Sequence, residues 1–292
     1  MFYFTLQRFK KINMGIKNIN SILKKVKDYS KPFSLDSLTG TQVTVGVDMS
    51  MLLYQYHCVY KNNVQEQVYY LIKALTTKFY YIDCIYVFDP VERPEGKEVK
   101  VKSGSPDDRV PDVLVETIKE FMKLAGIKHV ISPDNIDAET ILAQLQRDHV
   151  IEYILSNDSD LLALGAYNII KDFNKNSCVI IDSRVIHSSL HLTKESFIDL
   201  CILLGTDYNK NIKGIGPVTS FNLINEYKCI ENILENKKLK EIPFDYLAIR
   251  KKFTSDNEYT VIKNFVNKQE LHKFLENNNV DEMLELKIMN LF

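Results

Sequence analysis

Seven acidic side chains lie in five short segments of this 292-residue chain, each at the end of an apolar run. They are Asp48, Asp89, Asp137, Glu139, Asp158, Asp160 and Asp207. Carboxylates gathered in one site repel one another unless cations compensate their charge. Carboxylate oxygens are ligands of Mg²⁺ and Mn²⁺, and paired divalent ions serve enzymes that cleave phosphodiesters. The pattern therefore indicates a metal-dependent nuclease.

The composition allows an ordinary globular protein. Hydrophobic residues make up 45% of the chain and charged residues 26%, which is enough apolar material for a core. The chain has no apolar run of about 18 residues, so we expect no membrane span. Its five cysteines are dispersed without a CxxC pair, which is typical of reduced thiols in an intracellular protein.

The formal net charge is −1, which is unusual for a protein that binds nucleic acid. If bound metals neutralised the seven acids, the rest of the chain would carry +6. The N-terminus is basic, with no acid before Asp28. It is either a transit peptide or an extension of residues 1–13 upstream of an initiator at Met14, and we favour the second interpretation.

Apolar patterning predicts strands that alternate with helices. Predicted strands are Val43–Val47, Ile82–Phe88, His129–Ile131, Val150–Leu155, Tyr167–Lys171 and Cys178–Asp182. Predicted helices are Met49–Tyr60, Val64–Tyr80, Asp112–Ala125, Asp137–Asp148, Lys194–Leu204 and Pro217–Tyr227, with short helices in 230–292. The order predicts an α/β fold whose mainly parallel sheet is covered by helices on both faces.

The same patterning predicts three parts of the chain. After the extension at 1–13, a core spans 14–190 and contains a Gly- and Pro-rich loop or arch at 90–111. A helical region spans 191–292 and contains a helix–turn–helix near 205–227.

Three of the acids follow predicted strands directly or closely. In open α/β sheets, ligands bind beyond the carboxyl ends of the strands, so Asp48, Asp89 and Asp158 are expected to converge. Asp158 and Asp160 stand two positions apart and face one side while the chain is extended. Asp137 and Glu139 can reach one site only from the first turn of a helix. For each acid the alternative is an ordinary helix cap or an acidic first turn.

Gly214-Ile-Gly-Pro217 follows Gly205-Thr-Asp207-Tyr208 and predicts a tight turn between two helices. Such a turn offers backbone N–H groups at a helix N-terminus, where phosphate binds. The alternative is a plain turn between helices with Asp207 on its surface.

The residues of these motifs and their order along the chain resemble those of the flap endonuclease/XPG-type structure-specific nucleases. The resemblance covers residues 14–227 and rests on Met14–Ile19, Val45–Ser50, Val87–Asp89, Pro133–Glu139, Ser156–Gly165, Leu204–Tyr208 and Gly214–Pro217. It implies a PIN-like core in which seven carboxylates surround two Mg²⁺ ions, with Mn²⁺ as a substitute. One ion would activate water and the other would stabilise the leaving oxygen.

The resemblance also implies residue roles. Asp48, Asp89, Glu139, Asp158 and Asp160 would be catalytic metal ligands or lie close behind them, and Asp137 and Asp207 would complete the metal site. The helix–turn–helix would bind duplex DNA, together with a K⁺ ion. Its DNA-binding residues would be Lys213, Gly214, Ile215 and Gly216.

Three features depart from the family pattern. Asp137 stands where the family has Glu, and Pro90 replaces a Gly. No residue matches the family's catalytic Lys and Arg on the arch; Lys97, Lys100, Lys102 and Arg109 are candidates, with Lys97 and Lys102 as catalytic residues and Arg109 as a DNA contact. The alternative for all four is a solvated charged loop.

We therefore expect a divalent-metal-dependent 5′ nuclease that hydrolyses DNA at flaps, nicks or ends in replication or repair. Its partner would be branched or nicked double-stranded DNA; we expect a monomer, no membrane partner and no sliding-clamp peptide. Its location would be intracellular, in the nucleus or another site of DNA replication, with an organelle as an alternative. Two other functions stay open: a non-catalytic DNA-binding or scaffolding relative, and a PIN-like ribonuclease.

Overall fold

The computed structural model describes residues 15–61, 63–91, 109–172 and 178–292. Across these residues a single seven-stranded sheet has the order β1-β7-β6-β5-β2-β3-β4. Its strands are β1 (Ser30–Phe33), β2 (Thr44–Asp48), β3 (Asp83–Phe88), β4 (His129–Ile131), β5 (Tyr153–Leu155), β6 (Ile169–Lys171) and β7 (Cys178–Ile181).

Helices cover the sheet and make up the C-terminal part. They are α1 (Ile19–Leu23), α2 (Met49–Val59), α3 (Val64–Thr77), α4 (Asp112–Leu124), α5 (Ala138–Arg147), α6 (Asp160–Ala163) and α7 (Ser183–Leu190). The remaining helices are α8 (Lys194–Leu204), α9 (Pro217–Tyr227), α10 (Ile230–Glu235), α11 (Tyr246–Thr254), α12 (Lys268–Asn277) and α13 (Glu282–Leu291).

Strand β2 lies at the centre of a parallel block. It pairs in parallel with β3 on one side and β5 on the other, and β4 and β6 extend the block outward. Only β7 runs against its neighbours β6 and β1. The prediction of a mainly parallel sheet is confirmed. The chain leaves β2 first toward β3 and later toward β5, so β2 marks the switch point where such sheets bind ligands.

Both faces of the sheet are buried, because successive side chains of a strand point to opposite faces. On β3, Ile85 and Val87 pack into the core formed with α5 and α8, whereas Tyr86 and Phe88 pack into the core formed with α3 and α4. Helices α12 and α13 return to this second face, against α4 and α3. Helices on both faces were predicted and are present.

Gly46 in β2 lets the helical layer approach the sheet closely. A Cβ built on Gly46 would lie 2.7 Å from Leu142 Cδ2 of α5 and 2.4 Å from Ile151 Cδ1. Real Cβ atoms essentially never make such short contacts. The middle of α5 therefore packs directly against β2.

Several elements were not predicted, among them β1, α1 and α7. Strand β1 contains Pro32 and alternates little, yet as an edge strand it tolerates a residue without a backbone donor. Helix α7 is also absent from the predictions; Asp182 caps it by accepting from the Arg184 amide. Within the described residues, every helix is too short or too polar to cross a membrane.

An ion-pair cluster around the buried Asp199 joins three C-terminal helices. The Arg250 guanidinium of α11 donates to both Asp199 oxygens of α8, each at 2.8 Å, and to Glu231 of α10 at 2.8 and 3.0 Å. Asp199 is only 1% exposed and also accepts from the Ile230 amide. These bonds fix α11 against α8, which leads directly into Asp207.

Replacing Arg250 with Met tests this cluster. Because it leaves the buried Asp199 carboxylate without its cation, we expect the free energy of unfolding to fall by about 3 kcal/mol. Arg184→Met is the matched control, since its ion pair with Asp182 is more exposed and should contribute less than about 1 kcal/mol. Urea unfolding measures both, and equal losses would show that the Arg250 cluster acts as a surface pair.

Candidate functional site

The carboxyl edge of the parallel strands gathers the predicted acids. Asp48 is the last residue of β2, Asp89 follows β3, and Asp158 follows β5 by three residues. Six of the seven predicted acids are no more than 7% exposed, and Asp89 is half-buried. Carboxylates are seldom buried unless they have a partner. Their shared burial at one edge distinguishes them from surface caps.

Asp89, Asp137 and Glu139 form a potential metal site. One oxygen from each carboxylate lies within 4.8 Å of the others. Asp137 precedes α5 in an extended conformation and Glu139 lies in the first turn, so both can face the same point. The Asp89 carboxylate also accepts from Ser50 Oγ at 2.5 Å and from the Ala138 amide at 3.3 Å.

Asp48 connects this trio to the other acids. Burial, and then the charges of Asp89 and Asp158, raise the pKa of Asp48 to about 7. Hydrogen bonds from Ser156 and Met51 oppose this rise but do not cancel it. Ser156 Oγ donates at 2.8 Å, and the Met51 amide donates at 3.2 Å as part of the α2 cap. Asp48 is thus close enough for the negative charges of Asp89 and Asp158 to repel its own. Its ionised form is therefore disfavoured unless positive charge is bound nearby.

Asp158 and Asp160 are arranged by the turn between β5 and α6. The Asp160 amide donates to Asp158 Oδ1 at 2.8 Å, and the Asp158 amide donates to Ser156 Oγ at 3.1 Å. Gly15 packs against this turn with φ of +77°. A Cβ there would lie 2.2 Å from Asp158 Oδ1 and 2.7 Å from Asp160 Oδ1.

The segment 15–17 also reaches the loop that carries Asp207. The Lys17 amide donates to the Gly205 carbonyl at 2.7 Å, and Lys17 Nζ donates to the Asn209 carbonyl at 3.1 Å. The Asn209 side chain accepts from Thr206 Oγ1 at 2.8 Å and braces the loop. We call residues 15–17 the N-terminal strap, because they tie the Asp158 turn to the Asp207 loop.

Asp207 is buried and is followed by Tyr208, whose hydroxyl donates to Asp137 Oδ2. This contact brings the Asp207 loop to the trio at the start of α5. All seven predicted acids therefore lie on segments that the structure brings to one edge of the sheet.

The predicted DNA-binding turn lies between α8 and α9, with the flanking helices at the predicted residues. Lys213, Gly214 and Gly216 are exposed, and Ile215 is half-buried against the core. Gly214 has φ of +83°, and Pro217 begins α9. The turn presents backbone and one lysine to solvent, and its binding role stays a prediction.

The arch residues are mostly outside the described part of the chain. Lys97, Lys100 and Lys102 fall in the gap at 92–108, and the extension 1–13 with Met14 precedes the first described residue. Arg109 is described; it is exposed and pairs with Asp112 at 3.3 Å, three residues along the chain. This local pair does not place Arg109 at the carboxylates.

Several residues that support the site were not predicted as site residues. Ser50 and Ser156 donate to carboxylates, Tyr208 donates to Asp137, and Gly15 allows the strap to approach. The two serines could have been predicted from the sequence, because each lies two residues from an acid that follows a predicted strand. The Tyr208 contact joins residues 71 apart in sequence and had no local signal.

Two family models match most of the core. The XPG N-terminal domain matches residues 14–107, and the XPG I-region matches residues 126–207. Together they include all seven acids. Flap endonuclease 1 of Candida dubliniensis is 31% identical over 278 residues, covering 78% of this chain and 73% of the relative.

Solved structures share the fold. The catalytic core of Rad2 in complex with DNA substrate superposes with a TM-score of 0.68 at 23% identity, covering 93% of this chain and 99% of that core. Human GEN1 in complex with Holliday junction DNA gives a TM-score of 0.72 at 20% identity, covering 95% of this chain and 77% of the GEN1 chain in that structure. The sequence relative and the two matched domains lead to one assignment: the chain belongs to the flap endonuclease/XPG family.

Proposed function

We propose that this chain is a structure-specific 5′ nuclease that hydrolyses DNA phosphodiesters at flaps, nicks or ends, using Mg²⁺. The single observation that carries the proposal is the set of acids gathered at the carboxyl edge of the sheet, in a chain of the flap endonuclease/XPG family. Two structural neighbours, Rad2 and GEN1, were solved with DNA, which supports DNA as the substrate class.

The donor set fits divalent cations with oxygen ligands. Two metal–oxygen bonds on opposite sides of an ion span about 4–5 Å, comparable to the spacing of the Asp89, Asp137 and Glu139 oxygens. The raised pKa of Asp48 reflects repulsion and burial that bound cations would relieve. Two bound Mg²⁺ ions, with Mn²⁺ as a substitute, would activate water and stabilise the leaving oxygen.

The protein's own residues would orient these groups. Asp48, Asp89, Glu139, Asp158 and Asp160 would be the central ligands or lie close behind them, with Asp137 and Asp207 completing the set. Ser50 and Ser156 would hold Asp89 and Asp48 in fixed orientations, as hydrogen-bonded partners do at metal sites. Burial of the acids would lower the local dielectric and strengthen their electrostatic interaction with bound cations and phosphate.

DNA would lie across the turn between α8 and α9. Exposed Lys213 and the backbone at Gly214, Ile215 and Gly216 would contact the duplex backbone, with K⁺ bound beside them. Lys97 and Lys102 would assist catalysis from the arch, and Arg109 would contact DNA. We further propose a monomer with a nuclease core at 14–190 and a helical part at 191–292, acting inside the cell where DNA is replicated or repaired.

Asp160→Ala tests the nuclease assignment. Loss of this metal ligand should lower kcat on a 5′-flap duplex by about a thousandfold or more. When catalytic groups act together, removal of any one of them abolishes most of the activity. Binding of the flap in EDTA should be retained, since the proposed duplex contacts lie elsewhere. A panel of 5′-labelled flaps, nicks, blunt ends and four-way junctions, with and without Mg²⁺, gives activity, polarity and preference together.

Asp256→Ala is the control, because Asp256 is an exposed acid outside the cluster. The Asp256→Ala protein should cleave the flap at the normal rate. Full turnover by Asp160→Ala would contradict the proposal. Binding without cleavage by the unaltered protein would favour the non-catalytic scaffolding relative. Cleavage of RNA flaps but not DNA flaps would favour the PIN-like ribonuclease.

Gly15→Ala tests the close approach of the strap. The added methyl would overlap Asp158 Oδ1 and Asp160 Oδ1, so we expect cleavage to fall by about tenfold or more, as misplacement of catalytic groups does. Gly40→Ala is a matched control: Gly40 has nearly the same φ, +72°, with no atom within 4 Å of the added Cβ. Both variants should lose about 1 kcal/mol from the left-handed backbone. Equal cleavage by the two would remove Gly15 from the site.

Asp48→Asn tests the electrostatic cost of the cluster. At pH 8, above the raised pKa of Asp48, removal of this charge should increase the free energy of unfolding of the metal-free protein by about 4 kcal/mol. The Asn amide can replace the hydrogen bonds, because the Ser156 hydroxyl can accept as well as donate. The same variant should lose cleavage. Unfolding in EDTA measures the first effect, and a less stable variant would contradict it.

A further inference from the structure

The Asp137 side chain does not cap the helix that follows it. An Asp that precedes a helix normally accepts a hydrogen bond from the second or third amide of that helix. Asp137 precedes α5, yet its side chain makes no capping bond. Its Oδ2 accepts from the hydroxyl of Tyr208, while an oxygen of the same carboxylate stands in the trio with Asp89 and Glu139. The carboxylate is therefore turned away from its own helix.

Tyr208 is itself held on several sides. Its amide donates to Thr206 Oγ1 at 3.1 Å, which ties its backbone to the Asp207 loop. Two residues of α11 contact its ring: Lys252 Nζ lies 4.9 Å from the ring centroid, and the Phe253 ring packs edge-on at 6.2 Å. Arg250, on the same helix, fixes α11 to α8. The phenol therefore has a defined position before any ligand binds.

We propose that Tyr208 is a positioning residue that holds the Asp137 carboxylate in the geometry of a metal ligand, and that Lys252 supports it from α11. The proposal rests on the nuclease function proposed above. A cation over the face of a phenol draws electron density from the ring, so Lys252 strengthens the Tyr208 hydroxyl as a donor. Hydrogen-bonded partners of this kind orient ligands at metal sites.

Two states of Asp137 compete in this arrangement. With the Tyr208 hydroxyl present, the Asp137 carboxylate faces the trio and does not cap α5, whose Ala138 amide donates to Asp89 Oδ1 instead. Without the hydroxyl, the Asp137 carboxylate loses the bond that turns it toward the trio and can rotate toward the first amides of α5. The loss of the hydroxyl should therefore weaken metal binding without weakening the fold, which separates positioning from simple structural support.

Tyr208→Phe in the full chain tests the proposal. Calorimetric titration with Mn²⁺ in the absence of DNA should show binding about tenfold weaker than in the unaltered protein. Thermal unfolding in EDTA should show an unchanged or higher Tm. In flap cleavage, the Mn²⁺ concentration for half-maximal rate should rise by a similar factor, and high Mn²⁺ should restore most of kcat.

Tyr259→Phe is the matched control. Its hydroxyl donates to Asp148 Oδ2 at 3.0 Å, and Asp148 directly follows the last residue of α5. The same atom is removed from the same type of pair, at the other end of a ten-residue helix and about 15 Å away. Its Mn²⁺ affinity should equal that of the unaltered protein. Lys252→Met should weaken Mn²⁺ binding by about two- to fivefold, as loss of a cation–ring contact does.

The outcomes are separable. If the unaltered protein binds no Mn²⁺, the metal-dependent nuclease proposal fails, and the positioning role fails with it. If the unaltered protein and Tyr208→Phe bind Mn²⁺ equally, only the positioning role is overturned. A lowered Tm with unchanged Mn²⁺ affinity would make Tyr208 a structural residue and would also overturn the proposal.

Discussion

Repulsion between buried carboxylates is the constraint on which the rest of this structure depends. Six acids almost without solvent exposure, and a seventh half-buried, oppose folding unless hydrogen bonds and cations offset their charges. The protein supplies the hydrogen bonds from Ser50, Ser156 and Tyr208 and from the backbone of the Asp158 turn. Cations would supply the rest, so metal binding and stability are linked.

The sheet and its surroundings contribute differently to the site. Strands β2, β3 and β5 are parallel neighbours buried on both faces, and their ends place Asp48, Asp89 and Asp158 with little freedom. The remaining acids depend on longer connections: the start of α5, the short helix α6 and the loop after α8. These connections are braced from outside by the N-terminal strap and by α11, which explains why distant segments matter to a site at the sheet edge.

The sequence allowed the frame of the site to be predicted, because its signals are local. A β-branched run that ends in Asp48, and another that ends beside Asp89, identify strands and their shared edge. The contacts that orient the acids could not be predicted in the same way. Tyr208 meets Asp137 across 71 residues, and Gly15 is required by a turn that begins near residue 156. Strand β1 was missed because Pro32 is unfavourable within a sheet, although its edge position removes the penalty.

The strap has a consequence for biosynthesis. Lys17 bonds to Asn209 across 192 residues, so this contact cannot form until residue 209 has left the ribosome. Contacts of such long sequence separation carry a loop-closure entropy that delays them in folding. The early strands can pair while the nascent polypeptide still lacks the loop at 205–209 that bonds to Lys17. We therefore expect the full set of acids to assemble late, after a large part of the hydrophobic core is already available to hold it.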